Sequence, residues 1–408
     1  MAVFHMTGTG RKGFVPRHNA IESACWEDLV STAAVHTTEA QPTSEAQPAS
    51  TIRPQAGERL VSLDAFRGFI MFWIVGGGAL MAGLRNLGRN PVTDAIVYQL
   101  NHTPWQGLRF YDTIWPSFML MVGVAVPFSL AKARLTQTQS QLLRKALLRA
   151  TVLFLLGSLR ESVSLNAPYW VELSSALQPI AIAYLAAFFL ARTPIKVQAA
   201  VGGLLLAGYA ALLAFVPAPG VAAGSYAKGA NLVLATDLAV LGRAHPEGWG
   251  TVICTIPTIA TTILGLILGE LLMSSRTKPA KLRIIVITGA CGVVLGMALD
   301  PVIPVVMKLW TTSYGILTAG WACLMFALFY LVIDVAGFRR WAFPFVVIGM
   351  NAVAVYMAGT LFPLNRIVGI FTRGVSPNLE VLVRAIIVLA VEWGILYWMY
   401  RRKIFLRA

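Results

Sequence analysis

The sequence predicts an all-α, polytopic membrane protein with about ten transmembrane helices and both termini in the cytoplasm. Three observations carry that expectation. The 408 residues are 57% hydrophobic and only 12% charged, with a mean hydropathy of +0.69; a soluble domain carries about 25% charged residues. Apolar stretches of bilayer-crossing length recur from residue 66 to residue 400. Lys and Arg gather in alternate loops between them, the pattern that fixes membrane topology.

Taken in order, residues 1–57 are polar and lack apolar periodicity. They hold a short direct repeat, Glu39-Ala-Gln-Pro42 and Glu45-Ala-Gln-Pro48. Such a segment buries too little surface to fold alone, and it has no apolar run of the secretory-signal kind. It reads as a disordered tail or an over-extended start, ahead of a membrane domain at 58–408. Ten apolar segments follow, at 66–84, 111–131, 145–160, 173–191, 197–216, 251–273, 284–303, 312–334, 343–363 and 380–400. Most reach the roughly 20 residues a bilayer requires; 145–160 is the shortest.

Orientation follows from the loops. With the N-terminus inside, the inner loops hold Lys132, Arg134, Arg144, Lys145 and Arg149; then Arg192 and Lys196; then Arg276, Lys278, Lys281 and Arg283; then Arg339 and Arg340. The C-terminus adds Arg401, Arg402, Lys403 and Arg407, whereas the outer loop at 161–172 has neither Lys nor Arg. Ten crossings with both ends inside satisfy the positive-inside rule. The long loops, 85–110 and 217–250, then lie outside, where loops of that length are commonly functional.

The net charge of +15 and pI near 10.0 suggest nucleic acid at first sight. The basic residues nevertheless sit in short loops between apolar segments, so a nucleic-acid partner is rejected. The four cysteines (Cys25, Cys254, Cys291, Cys323) lack metal-ligand spacing, and no metal is expected. Gly76-Gly77-Gly78 lies within a span and lacks the Lys-Ser/Thr of a phosphate loop. It reads as close helix packing or as room for a cofactor's arm.

The chain is organised around Asn101–Ser129, where a polar, aromatic segment runs straight into an apolar helix. An imidazole titrates ordinarily at about 6.5, and His102 stands beside Trp105 and Asp112 at the outer face. Asp112 is placed either to orient that imidazole or to cap the helix. Asp64 and Arg67, spaced i, i+3 at the inner start of the first span, read either as a phosphate-binding pair or as a capping Asp with a snorkelling Arg. Lys308, Trp310 and Ser313 precede the eighth span. They suit an oxyanion or a sugar, with Trp310 as a stacking platform, and equally suit an interfacial belt. Asn351 and Glu392 are polar groups inside spans and so functional candidates, or helix-pairing groups. Asn231 and Asp237 are sugar-binding residue types, though loops are rich in both.

Four motifs together carry a resemblance. Arg59-Leu-Val-Ser-Leu-Asp64-Ala-Phe-Arg67-Gly68 opens the first span. Asn101-His102-Thr-Pro-Trp105-Gln-Gly107-Leu-Arg-Phe-Tyr-Asp112, with Pro116 and Phe118, enters the second. Lys308-Leu-Trp310-Thr-Thr-Ser313-Tyr314 precedes the eighth, and Gly349-Met-Asn351 lies in the ninth. Over residues 58–403 the chain resembles the heparan-α-glucosaminide N-acetyltransferase family and its bacterial relatives, transmembrane acyltransferases. The resemblance implies that cytosolic acetyl-CoA donates its acetyl group across the membrane to a terminal glucosamine amine, and that the family's active-site histidine falls on His102. Two positions depart from the family. Gly78 stands where an Asn or Asp is usual, and Leu177-Gln178-Pro179 replaces Leu-Gln-Arg. The lumenal N-terminal domain of the animal enzyme is not expected here.

The expected function is a CoA-dependent membrane acetyltransferase acting on an amino sugar or other glycan group at the periplasmic face of a bacterial inner membrane. His102 and Asp112 are its expected catalytic residues. Trp105, Asn231, Asp237, Lys308, Trp310, Ser313 and Asn351 are expected to bind substrate, and Asp64 and Arg67 the acetyl-CoA. A homodimer is compatible with this reading. The rivals are a polytopic transporter, which predicts inverted repeats with matching broken helices, and an acyltransferase relative inactivated at Gly78.

Overall fold

The computed structural model describes residues 60–88, 90–171, 173 and 176–406. The tail at 1–57 lies outside the described residues. The bundle is built from α1 (Val61–Asn86), α2 (Pro91–Gln99), α3 (Ile114–Ala133), α4 (Gln139–Leu165), α5 (Leu177–Leu190), α6 (Ile195–Phe215), α7 (Leu232–Leu241), α8 (Thr255–Met273), α9 (Lys278–Leu299), α10 (Thr312–Tyr330), α11 (Phe343–Met350), α12 (Ala352–Leu361), α13 (Leu364–Phe371) and α14 (Pro377–Arg401). A hairpin, Tyr226–Ala227 against Ala230–Asn231, precedes α7.

Among the described residues, six helical stretches are long and apolar enough to cross a membrane: Val61–Asn86, Phe110–Ala133, Ile195–Phe215, Thr255–Met273, Lys278–Leu299 and Thr312–Val335. Arg340–Met350 and Ala352–Leu361 reach that length and apolarity only as a pair, bent by 64° at Asn351, the geometry of a broken span or of a re-entrant loop. The chain is thus an integral, multi-pass membrane protein. The other three apolar segments are also helical, but differ in character. The 14 residues of α5 rise only about 21 Å, short of a hydrocarbon core of about 30 Å. The 27-residue α4 is longer than the sequence suggests, but Arg144, Lys145, Arg149, Arg160 and Glu161 interrupt its apolar surface. Glu380, Arg384 and Glu392 do the same on α14.

Close helix approach organises the interior. A Cβ on Gly123 of α3 would lie 1.9 Å from the Thr262 carbonyl oxygen of α8, and one on Gly68 of α1 would lie 1.7 Å from the Phe345 carbonyl oxygen of α11. Small residues let helix backbones meet where lipid offers no hydrophobic drive to pack them. Phe66 of α1 adds aromatic packing on α10, 5.7 Å from Phe326 and 5.2 Å from Phe329.

Candidate active site

The loop between α2 and α3 is held from several sides. Gly107 donates its amide to the Val305 carbonyl at 2.8 Å, and Gln106 bridges to Val306. The φ of +112° at Gly107 is one that residues with a Cβ seldom adopt. The Trp105 indole donates to the Tyr226 carbonyl of the hairpin at 2.9 Å. Tyr111 donates its hydroxyl to the Trp73 carbonyl of α1 at 3.2 Å. Tyr314 of α10 donates to the Asp112 carbonyl at 2.7 Å.

This scaffold presents a histidine–carboxylate pair. His102 Nδ1 lies 2.8 Å from Asp112 Oδ1; the carboxylate side chain is fully buried while the imidazole is 40% exposed. The other carboxylate oxygen accepts the Thr103 hydroxyl at 2.6 Å and the Arg109 amide at 2.9 Å. The Thr103 amide approaches both oxygens, at 3.4 and 3.3 Å. Asp112 therefore does both geometric jobs that its position allows: it holds the imidazole, and it ties down the start of the turn Phe110–Thr113 that leads into α3. With Nδ1–H donated to the carboxylate, Nε2 carries the lone pair of the neutral ring. Arg109 closes the loop from behind. One guanidinium nitrogen donates to the His102 carbonyl at 3.0 Å, and the group lies 4.0 Å from the centre of the Tyr98 ring.

Aromatic rings surround the imidazole. Tyr111 lies 4.8 Å away and Trp249 stands edge-on at 5.4 Å. Trp249 also lines a narrow cleft, together with Trp115, Pro179, Thr258, Lys308 and Trp310. Lys308 Nζ sits 5.6 Å over the Trp249 ring and donates to the Glu247 carbonyl, while the Trp249 indole donates to the Glu247 carboxylate at 2.9 Å. Trp310 is held at φ +44°, a strained conformation for a bulky residue that structures retain mainly at functional sites. A cation, an imidazole and three indoles thus converge at one end of the bundle.

The structure brings His102, Asp112, Lys308 and Trp310 together. The remaining candidates are placed otherwise. Asn231 and Asp237, expected to meet a sugar, are each 2% exposed and are occupied by backbone. Asn231 caps α7 by accepting the Leu234 amide at 2.9 Å and donates to the Ala227 carbonyl. Asp237 accepts the Thr251 amide at 3.0 Å, the Thr251 hydroxyl at 2.7 Å and the Val252 amide at 3.0 Å. Ser313 is fully buried against Thr311. Trp105 is a tether to the hairpin. Asn351, at the break between α11 and α12, donates to the Ile404 carbonyl and accepts the Leu406 amide, so it anchors the C-terminal segment. Asp64 and Arg67 sit in the first two turns of α1, about 20 and about 15 Å of helix rise from Gly77, the level where Tyr111 packs. Glu392 is buried on α14, away from the cleft lining.

Residue-type reasoning did not assign site roles to Trp249, Trp115, Tyr111, Thr103, Arg109 or Tyr314. Thr103 and Arg109 lie inside the motif around His102, so hydrogen-bond accounting for a buried Asp112 would have found them. Trp249 lies in the long outer loop 217–250, whose polar and aromatic residues favour function, and Tyr314 closes the Lys308–Tyr314 motif, but neither signal gives a role in the site.

This arrangement can be set beside known proteins. Heparan-alpha-glucosaminide N-acetyltransferase of Homo sapiens is 24% identical over 418 aligned positions, covering 85% of this chain. The chain is similar to that enzyme. It spans 59% of the length of the human N-acetyltransferase. No family model matches the chain. The alignment extends well beyond the segment around His102, so the likeness to the acetyltransferase runs through most of the membrane bundle.

Proposed function

We propose that this chain is a membrane acyltransferase that moves an acetyl group from cytosolic acetyl-CoA to the amine of an amino sugar on the opposite face. The observation that carries the reading is the His102–Asp112 pair, with its carboxylate buried and its imidazole partly exposed, in contact through Trp249 with the aromatic cleft that holds Lys308. In the proposed step the acceptor amine attacks the thioester carbonyl and His102 Nε2 takes the amine proton. Asp112 stabilises the resulting imidazolium through Nδ1–H. The tetrahedral oxyanion gains charge stabilisation from the Lys308 side of the cleft. Its collapse breaks the carbon–sulfur bond, and the imidazolium returns a proton to the departing CoA sulfur. Arg67 and Asp64, at the far end of α1, are proposed to meet the phosphate-bearing end of the donor.

The proposed topology has ten crossings with both termini inside, in a bacterial cytoplasmic membrane, with α4, α5 and α14 completing the seven more apolar spans. One feature favours a transporter, namely the 64° break between α11 and α12, since transporters bind solutes at broken helices. Asn351, the polar residue at that break, is nevertheless engaged by the C-terminal backbone on both its amide atoms, which favours the enzyme.

The test is the purified chain in detergent with acetyl-CoA and glucosamine or a glucosamine-terminated glycan, following release of free CoA thiol. Acceptor-dependent release that His102→Ala abolishes supports the reading. Release unaltered by His102→Ala removes His102 from the chemistry, and no release with any amino sugar removes the proposed acceptor.

A further inference from the structure

The two sides of α13 differ sharply. Leu364, Ile367, Val368, Ile370 and Phe371 fall on one side of a helix with about 3.6 residues per turn, and Asn365, Arg366 and Gly369 on the other. Only part of the apolar side is covered. Val368 is buried, whereas Ile367, Ile370 and Phe371 are exposed, Phe371 at 81%. Leu361 and Phe362, at the end of α12, extend that exposed apolar surface. The polar side leans on α14, where a Cβ on Gly369 would lie 3.3 Å from the central carbon of the Arg384 guanidinium. With 8 residues the helix rises only about 12 Å, so it cannot cross a hydrocarbon core of about 30 Å.

Two arginines frame this surface. Arg366 lies on the polar side of α13, and Arg373 follows its end, just before Gly374 turns the chain at φ +99°. Both are exposed. Neither has an ion pair or a side-chain hydrogen bond among the described residues, whereas Arg384 is paired with Glu380. In the proposed topology this segment is outside, where loops carry few basic residues, so the orientation of the chain does not call for them.

We propose that Leu361–Arg373 docks on anionic phospholipid. The helix α13 lies flat in the membrane interface, with its exposed apolar side among the acyl chains. Arg366 and Arg373 reach the headgroup phosphates, which the guanidinium fork matches in charge and geometry. A second copy of the chain fits this surface less well. It would have to bring carboxylates to two arginines, and the acidic residue nearest in sequence, Glu380, is already taken by Arg384. The inference stands beside the acetyl-transfer reading and does not rest on it.

The experiment places the full chain, one copy per nanodisc, in phosphatidylcholine alone or in an equal mixture of phosphatidylcholine and phosphatidylglycerol. Amide hydrogen exchange across 361–376 is followed by mass spectrometry for wild type, the double variant Arg366→Gln/Arg373→Gln, and Phe371→Ser. Adding phosphatidylglycerol is expected to slow exchange of the wild-type segment by about fivefold per arginine, while peptides from the interior helix α3 do not change. The double variant is expected to lose that dependence and keep the phosphatidylcholine level. Phe371→Ser is expected to exchange faster in both lipids, and unchanged α3 peptides report an intact fold in each variant. Equal exchange of the wild-type segment in the two lipids overturns the proposal, as does a phosphatidylglycerol effect that survives in the double variant. Discs carrying two copies test the other occupant: slowing seen only there gives the surface to a second copy and also overturns the proposal. Both faces of a nanodisc meet the same lipid and buffer, so the result does not depend on the side of the membrane that α13 occupies.

Discussion

Tyr314 donates its hydroxyl to the backbone carbonyl of Asp112 at 2.7 Å, across 202 positions of sequence. Both residues are buried. The bond fastens the turn that carries the carboxylate to α10, and so sets where the imidazole points. Tyr314→Phe removes the donor and keeps the ring. It is expected to destabilise the fold by about 1 kcal/mol and to lower kcat about tenfold or more through loss of alignment, with little change in KM for acetyl-CoA. Steady-state kinetics beside thermal melting in detergent checks this; unchanged kcat would mean that α10 does not hold the site.

Asp112→Asn tests the carboxylate itself. Asn presents an NH₂ where Asp112 has an acceptor, so donors from His102, Thr103 and Arg109 compete for a single oxygen. Each buried donor left unpaired costs about 1–3 kcal/mol. The imidazole also loses the charge that stabilises its protonated form, so kcat is expected to fall about 10²- to 10⁴-fold. The check is kcat from CoA thiol release, with the melting temperature separating lost chemistry from lost fold.

His102 and Asp112 were legible in the sequence because ten positions of one loop separate them, and titratable residues flanking a membrane entry form a local signal. The roles of Trp249 and Tyr314 were not, although both lie in stretches marked for function, since they reach the site through tertiary packing, which no local pattern encodes. Asn231 and Asp237 satisfy buried backbone amides in this structure, and residue type alone does not distinguish such a group from a sugar ligand. The apolar segments were legible as helices. Their status as spans was less so, because α5 is short and the charges on α4 and α14 are diluted within long helices.

Glycine substitutions separate packing from chemistry along α1 and α3. Gly78 is exposed, and a Cβ there meets nothing within 4 Å. Gly78→Asn is therefore expected to fold as well as wild type or better, since Gly within a helix is unfavourable by about 0.5–1 kcal/mol relative to Ala. It also restores the polar residue type usual in the resembling family, so an increase in acetyl transfer would identify Gly78 as a brake on activity. Gly68→Ala and Gly123→Ala would each drive a methyl into a facing carbonyl. Both are expected to give little folded protein by size-exclusion chromatography.

Asp237 supplies a pH test of the outer loops. Burial pushes its carboxyl above the usual carboxylate range, against the opposing pull of the Val252 and Thr251 donors and of nearby His245. A carboxyl raised on folding binds its proton more tightly in the native state than in the unfolded one. Its contribution to stability is thus present below its ordinary pKa and is lost as pH rises through the raised folded value. Asp237→Asn removes the titration and adds a pH-independent loss, because one acceptor becomes a donor facing the Thr251 and Val252 donors. The difference in melting temperature, wild type minus Asp237→Asn, should therefore be widest at low pH and narrow as pH rises through the carboxylate range and just above it. A gap that stays constant, or widens with pH, would mean that the three donors outweigh burial and that Asp237 holds Thr251 and Val252 as a settled anion.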